Sequence, residues 1–166
     1  MTIDVKILKA YVMKIQLILI GNELLNGKIQ DKNAAWLARF AHTNHLNLEQ
    51  IHIIPDDEKF FFETLSLATK SADIIITSGG LGPTQDDLTK KMIAKFFNKS
   101  IEFNESALKI TQAHYVRYQR EYQQDKFDYQ NIPKNFIPFS NPVGFAPGLG
   151  FEFEKNKFIA CAPGVP

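Results

Sequence analysis

The chain has 166 residues, 45% of them hydrophobic, enough apolar side chain for one domain with a real core. Nineteen Lys and Arg against eighteen Asp and Glu leave a formal charge of +1, so no global field draws the protein to nucleic acid or to an anionic membrane, and any anion must be bound locally. The single cysteine, Cys161, excludes an internal disulfide and a cysteine-based zinc site, and a buried, inert thiol in a reducing, cytoplasmic compartment is expected.

Residues 1–12 read as an N-terminal extension, either a leader strand or a stretch upstream of a start at Met13. The apolar run from Ile15, about eight residues long, is too short to cross a membrane. "KIQLILIG" is expected to form a buried first strand, and "NAAWLARFAHTNHL" a helix with Asn33 as its N-cap and Ala34, Leu37, Ala38 and Ala41 on one face. "LEQIHIIP" alternates and predicts a second strand, followed by a helix with Phe61, Leu65 and Ala68 inward. "DIIITSGG" has the unbroken isoleucines of a strand covered on both faces.

After it, "DDLTKKMIAKFFN" predicts a third helix with Leu88, Met92, Ile93 and Phe96 inward. A long fourth helix, Asn104 to Gln124 and capped by Asn104, has a weak apolar stripe in its distal half, which is expected to project or to cover a partner subunit. From Phe127 the chain is turn-rich, ending in two short strands near "GFEFE" and "KFIACAPG". Strands alternating with helices indicate an α/β fold with a largely parallel sheet.

In such a sheet the loops after the C-terminal strand ends converge, and ligands bind there. Four loops of this kind carry polar or glycine-rich chemistry: "GNELLNGKIQDKN", "PDDE", "SGGLGPTQDD" and "APGVP". Candidate ligand contacts are Gly21, Asn22 and Asn33 on the first, Gly79, Gly80, Gly82 and Thr84 on the third, and Gly164 on the last. Glycines let the backbone approach a ligand, and the amides of the loop and the following helix can cradle an anion. The motif is neither a Walker loop nor a G-x-G-x-x-G fingerprint.

Asp86 and Asp87 follow those glycines, and could cap the next helix. Facing a bare phosphate at about 5 Å, each would cost roughly 3 kcal/mol at an effective dielectric of 20. A divalent cation between acid and phosphate reverses the sign, so glycines plus acids read as a metal-assisted phosphate site. Asp56 and Asp57 are either helix caps or a second acid edge of the same cleft, and Glu23 would point into that edge. Asn22, Asp31 and Asn33 could bond a sugar hydroxyl or a base, and Asn141, in a tight turn with Pro142 and Gly144, could line a wall. Lys28 and Lys32 are the nearest cations for a substrate phosphate, His42, His45 and His52 are expected at the surface, and Trp36 in the core.

"GNELLNGKIQDKNAAWLA", "PDDEKF", "SGGLGPTQDDLT", "NPVGFAPG" and "APGVP", in that order, resemble the N-terminal domain of CinA, the competence/damage-inducible protein, in the molybdopterin-binding superfamily of MogA, MoaB and a gephyrin domain. The resemblance covers about Lys14 to Pro166. It implies a three-layer α/β/α domain with a mostly parallel central sheet, assembling as a dimer or trimer. It also implies metal-dependent pyrophosphatase activity toward ADP-ribose, with Mg, Mn or Co and stimulation by potassium. By the same resemblance Asp87 and Asp56 match the catalytic and metal-holding acids, with Glu23 as a further metal ligand. Asn22 stands where the family most often has Asp, removing one negative charge. The expected organisation is the 1–12 extension and one domain over 13–166, shortened at its C-terminal end relative to the family pattern. Two other readings compete: a non-catalytic nucleotide- or molybdopterin-binding module, and a molybdopterin adenylyltransferase, against which the "LGPT" after Gly80 argues.

Overall fold

The computed structural model describes residues 13–82, 87–124 and 126–164. Along the chain run β1 (Lys14–Ile20), α1 (Asn22–Leu25), α2 (Asn33–Thr43), β2 (Asn47–Ile54), α3 (Glu58–Ser71), β3 (Ile74–Ser78) and α4 (Thr89–Phe96). Then follow β4 (Ile101–Phe103), α5 (Glu105–Arg117), β5 (Asn131–Pro133), β6 (Ile137–Phe139), β7 (Gly148–Glu154) and β8 (Lys157–Ala162). The main sheet has the order β2-β1-β3-β8-β7-β6, and β4 pairs with β5 in a small second sheet. Strands β2, β1, β3 and β8 are mutually parallel, while β7 and β6 add an antiparallel edge.

The unbroken apolar run of β1 exists because the strand is covered on both faces. Leu17 and Leu19 pack with Leu37 of α2, while Ile18 and Ile20 join Phe61, Leu65 and Ala68 of α3 and Met92 and Ile93 of α4. Burying each of these aliphatic chains contributes about 1.5–3 kcal/mol before ordering costs. The one polar side chain in the run, Gln16, is buried and satisfied: its amide nitrogen, Nε2, donates to Ser71 Oγ at 3.0 Å. Strand β2 lies at the sheet edge, which leaves Ile51 and Ile53 exposed.

Helix α3 starts where the acids predict. Asp57 Oδ1 accepts from the Lys59 and Phe60 amides at 2.9 and 3.3 Å, so Asp57 is the N-cap. Asp57→Ala is expected to lower stability by about 1 kcal/mol, measured by urea unfolding with an unchanged m-value.

Three sequence expectations are corrected. Asn33 does not cap α2; the Asp31 carboxylate accepts from the Ala34 amide at 2.7 Å, which frees Asn33 to point elsewhere. Only Leu37 and Ala41 of that helix are fully buried, because α2 covers the sheet margin with a narrow stripe; Ala38 is exposed, and so is Trp36, at 59%. The fourth helix does not run to Gln124. It stops at Arg117, where Gln119 takes a positive φ of 55° and the Arg120 amide turns back to the Tyr115 carbonyl at 2.9 Å. The distal segment then folds inward instead of projecting: Tyr122 packs with Tyr115, Phe127, Tyr129 and Phe145 in an aromatic cluster, and its hydroxyl donates to the Phe127 carbonyl at 2.6 Å.

Cys161 on β8 is fully buried, as expected, and burial pushes its thiol up to about 12. A thiol raised in the folded state stays protonated there while the unfolded chain ionises from about 8.5 upward. Its contribution to stability is therefore complete below that value and is lost as pH rises toward 12. Alkylation of Cys161 by iodoacetamide at pH 8 is expected to follow global unfolding, with no modification of the native protein on the timescale of minutes.

Candidate functional site

The chain goes from β1 through α2 to β2 on one side, and from β2 through α3 to β3 on the other, so the sheet order reverses between β1 and β3. A crevice opens at such a switch point, outside the C-terminal strand ends. Because β2, β1, β3 and β8 are parallel neighbours, the loops bearing Asp56, Glu23, the Gly79–Gly82 run and Gly164 follow one another along that single edge.

The glycine loop is built over the end of β1. Gly79 and Gly80 take φ of 112° and 67°, in the left-handed region. A Cβ on Gly79 would land on the main-chain oxygen of Ile20, and one on Gly80 would land on the Thr89 side chain. Thr89 fixes this shape from below: its hydroxyl donates to the Gly79 carbonyl at 2.9 Å, its amide donates to the Gly80 carbonyl at 3.0 Å, and it is fully buried. The last strand's loop closes against it, since the Gly79 amide donates to the Ala162 carbonyl at 3.1 Å and a Cβ on Gly164 would sit 3.4 Å from the Gly79 Cα.

Asp87 turns back onto the loop. Its Oδ1 accepts from the Gly82 amide at 2.9 Å, while α4 begins at Thr89 without a side-chain cap. Thr84 and Asp86 lie outside the described residues. Asp87 has a buried neighbour in Tyr129, whose hydroxyl is pushed above the usual phenol range by burial first, then by the charges of Tyr115 and Asp87. The start of α4 is also tethered: Lys90 Nζ lies 3.1 Å from Asp128 Oδ2 and donates to the Asp128 carbonyl as well, with burial lowering the ammonium's pKa.

Asp56 and Asp57 part company. Asp57 caps α3, whereas Asp56 Oδ2 accepts from the Asn22 amide at 2.9 Å and so ties the end of β2 to the loop after β1. Gly21 is extended, its amide bonded to the Ile54 carbonyl at 3.1 Å, and the Glu23 carboxylate lies against its Cα. Asn33, released from capping, donates through Nδ2 to Ser78 Oγ at 2.9 Å and pins the start of α2 to the residue before Gly79.

Not every candidate joins this edge. Asn141 is committed to its own turn, with Nδ2 donating to the Ala146 carbonyl at 3.2 Å and Oδ1 accepting from the Val143 amide at 3.1 Å. Lys28 and Lys32 are exposed, as are His42 and His45, while His52 is half-buried with Nε2 3.4 Å from Gln16 Oε1. Among the described residues no three His, Cys, Asp or Glu side chains gather as a ready metal cage. Sequence reasoning missed Thr89, Ser78 and Tyr129; a threonine in the first helical turn after a glycine loop was the one available signal for Thr89, and Tyr129 reaches the loop only through folding of the aromatic segment.

A mostly parallel sheet with a glycine loop at its switch point and carboxylates on neighbouring strand ends defines an α/β domain with a candidate ligand-binding edge. Residues 16–166 match the family model described as a probable molybdopterin binding domain, and the chain belongs to that family. It is 36% identical over 161 residues to a putative competence-damage inducible protein of Clostridium kluyveri, covering 93% of this chain and 38% of that protein. A CinA-like protein of Flavobacterium psychrophilum is 35% identical over 155 residues, covering 93% of this chain and 37% of the relative. The chain thus spans well under half of these two relatives' lengths. A solved CinA structure from Thermoplasma acidophilum superposes with a TM-score of 0.80 at 29% identity, covering 93% of this chain and 90% of that one. The molybdopterin biosynthesis enzyme MoaB from Thermus thermophilus, at 13% identity and a TM-score of 0.60 over 93% of this chain and 83% of its own, shares the fold. The domain is CinA-like, with the mostly parallel central sheet of that fold. No helix among the described residues is long and apolar enough to cross a membrane.

Proposed function

We propose that this domain is a divalent-metal-dependent pyrophosphatase acting on ADP-ribose or a related nucleoside diphosphate sugar. The observation that carries the reading is the Gly79–Gly82 loop at the switch point with the Asp87 carboxylate folded onto the Gly82 amide. Amides beside a carboxylate suit a ligand that brings its own cation, and the acids here are hard oxygen donors of the kind Mg and Mn prefer. The absence of a three-acid cage among the described residues fits an ion held by one or two carboxylates together with phosphate oxygens and water.

Asp87 would hold the metal, with Glu23 or Asp56 from the neighbouring strand ends as a second donor, and Mg, Mn or Co would supply neutralisation of phosphate charge and a more acidic bound water. The glycine loop binds the pyrophosphate oxygens through the main-chain amides of Gly80 and Leu81, since those of Gly79 and Gly82 are bonded to Ala162 and Asp87, and Asp87 orients the water opposite the leaving oxygen. Attack of water on phosphorus forms one P–O bond and breaks the bridging one, yielding AMP and ribose 5-phosphate, and both protons of the water pass to solvent as the two monoesters ionise. Asn22 and Asn33 border the same edge and would meet ribose or base. Homo-oligomers, as dimer or trimer, belong to this proposal as well.

The reading is tested by following AMP release from ADP-ribose with manganese or magnesium. Metal-dependent product is the expected result. Tight binding of ADP-ribose by calorimetry with no AMP over hours would make the domain a binding module.

A further inference from the structure

Trp36 is the only tryptophan of the chain, and it stands 59% exposed on a helix whose neighbouring positions Leu37 and Ala41 are buried. Phe40 on the same helix is 44% exposed, so the two rings present a paired apolar surface to solvent. Its surroundings point to the glycine loop. At 3.6 residues per turn, Asn33, Trp36 and Phe40 fall within an arc of about 60° on one flank of α2. Asn33 fixes which way that flank faces, because its Nδ2 is bonded to Ser78 Oγ, the residue before Gly79. Trp36 is therefore one helical turn from the loop edge, on the flank that looks toward β3.

The indole is also held flat. Trp36 and Phe40 stack with centroids 5.2 Å apart and planes 13° from parallel. Helical side chains lean toward the N-terminus of their helix, so Phe40, four residues on, covers the C-terminal side of the indole. The opposite face of the indole has no ring partner among the described residues. Orientation set by a neighbour, one free aromatic face and a position beside a phosphate-binding loop are the requirements of a base-stacking platform.

We propose that Trp36, backed by Phe40, is the nucleobase platform of this site, and that a nucleotide bound with its phosphates at Gly79–Gly82 stacks its base on the free indole face. The inference rests on the nucleotide reading above and deepens it, placing recognition of the base on α2. Stacking is tolerant of base identity, since every base has a π-face, so the platform selects nucleotides over sugar phosphates more than one base over another.

The lone tryptophan makes the test direct. With magnesium present, ADP-ribose and AMP are expected to quench Trp36 emission saturably, and ribose 5-phosphate or inorganic pyrophosphate to leave it unchanged. Trp36→Ala is expected to raise KM for ADP-ribose roughly 5- to 150-fold with little change in kcat, and Trp36→Tyr to restore most of the loss. Nucleotide binding seen by calorimetry with no change in Trp36 emission would overturn the platform while leaving the pyrophosphatase reading standing. Quenching by AMP without hydrolysis of ADP-ribose would support the platform and remove the pyrophosphatase. No quenching by any nucleoside mono- or diphosphate, or an emission shift set by protein concentration alone, which would mark a second copy as the cover of the indole, would also overturn it.

Discussion

Asp87→Asn is expected to cut ADP-ribose turnover by about 100-fold or more and to leave the folded structure in place. Asparagine keeps an Oδ1 that can accept from the Gly82 amide, so the 2.9 Å bond that shapes the loop survives the substitution. What is removed is the charge, and with it the hard anionic donor that a divalent ion needs next to phosphate. Metal-assisted charge stabilisation is worth several kcal/mol of barrier, and each 1.36 kcal/mol is tenfold in rate. The check is steady-state kinetics across manganese concentration alongside thermal unfolding. Wild-type turnover in Asp87→Asn would remove Asp87 from the chemistry. Asp87→Ala loses both charge and loop bond, and any additional loss relative to Asp87→Asn measures the positional part.

Gly79→Ala is expected to be the most damaging single methyl group in the domain. The position takes φ of 112°, which an L side chain rarely adopts, and the added Cβ would overlap the Ile20 main-chain oxygen at the end of β1. Backbone cannot yield as a side-chain tip can. Strain of this kind costs about 3 kcal/mol or more, and at roughly 2–4 °C per kcal/mol for a domain of this size the melting temperature is expected to fall by about 10 °C. Gly164→Ala is the internal comparison, since its Cβ would meet the Gly79 Cα only at 3.4 Å, an ordinary contact. Equal stability of Gly79→Ala and the parent in a calorimetric scan would mean that the loop does not hold this shape in solution.

The layers of the fold were legible because each depends on local pattern. The isoleucines of β3 and the leucines of β1 announce strands covered on both faces, and Phe61, Leu65 and Ala68 announce the inner stripe of α3. The parallel order followed from strands alternating with helices. The two adjacent acids after β2 look alike in sequence, and only the fold separates them, with Asp57 capping α3 and Asp56 reaching the Asn22 amide. Trp36 misled because helical spacing says which residues share a face and not where the covered sheet ends. The Tyr118–Phe145 region misled for a related reason: a polar, tyrosine-rich helix end has no strong stripe, yet Tyr115, Tyr122, Phe127 and Tyr129 find one another across turns that no periodicity records.

Electrostatics on this edge suit the proposed ligand better than composition suggests. The net charge of +1 offers no general attraction for a dinucleotide, and the nearest loop acids alone would repel it. In the proposed site, main-chain amides of the glycine loop and a cation shared with Asp87 would solve both problems locally. Lys90, held by Asp128, keeps the first turn of α4 in register with that loop without presenting a free ammonium to it.

The most direct measurement is a crystal structure with manganese and a methylene-bridged, non-hydrolysable analogue of ADP-ribose. The expected density is a metal between Asp87 and a phosphonate oxygen, with the pyrophosphate mimic against the amides of Gly80 and Leu81. A mimic bound away from that loop, or a metal that contacts none of Asp87, Glu23 and Asp56, would contradict it.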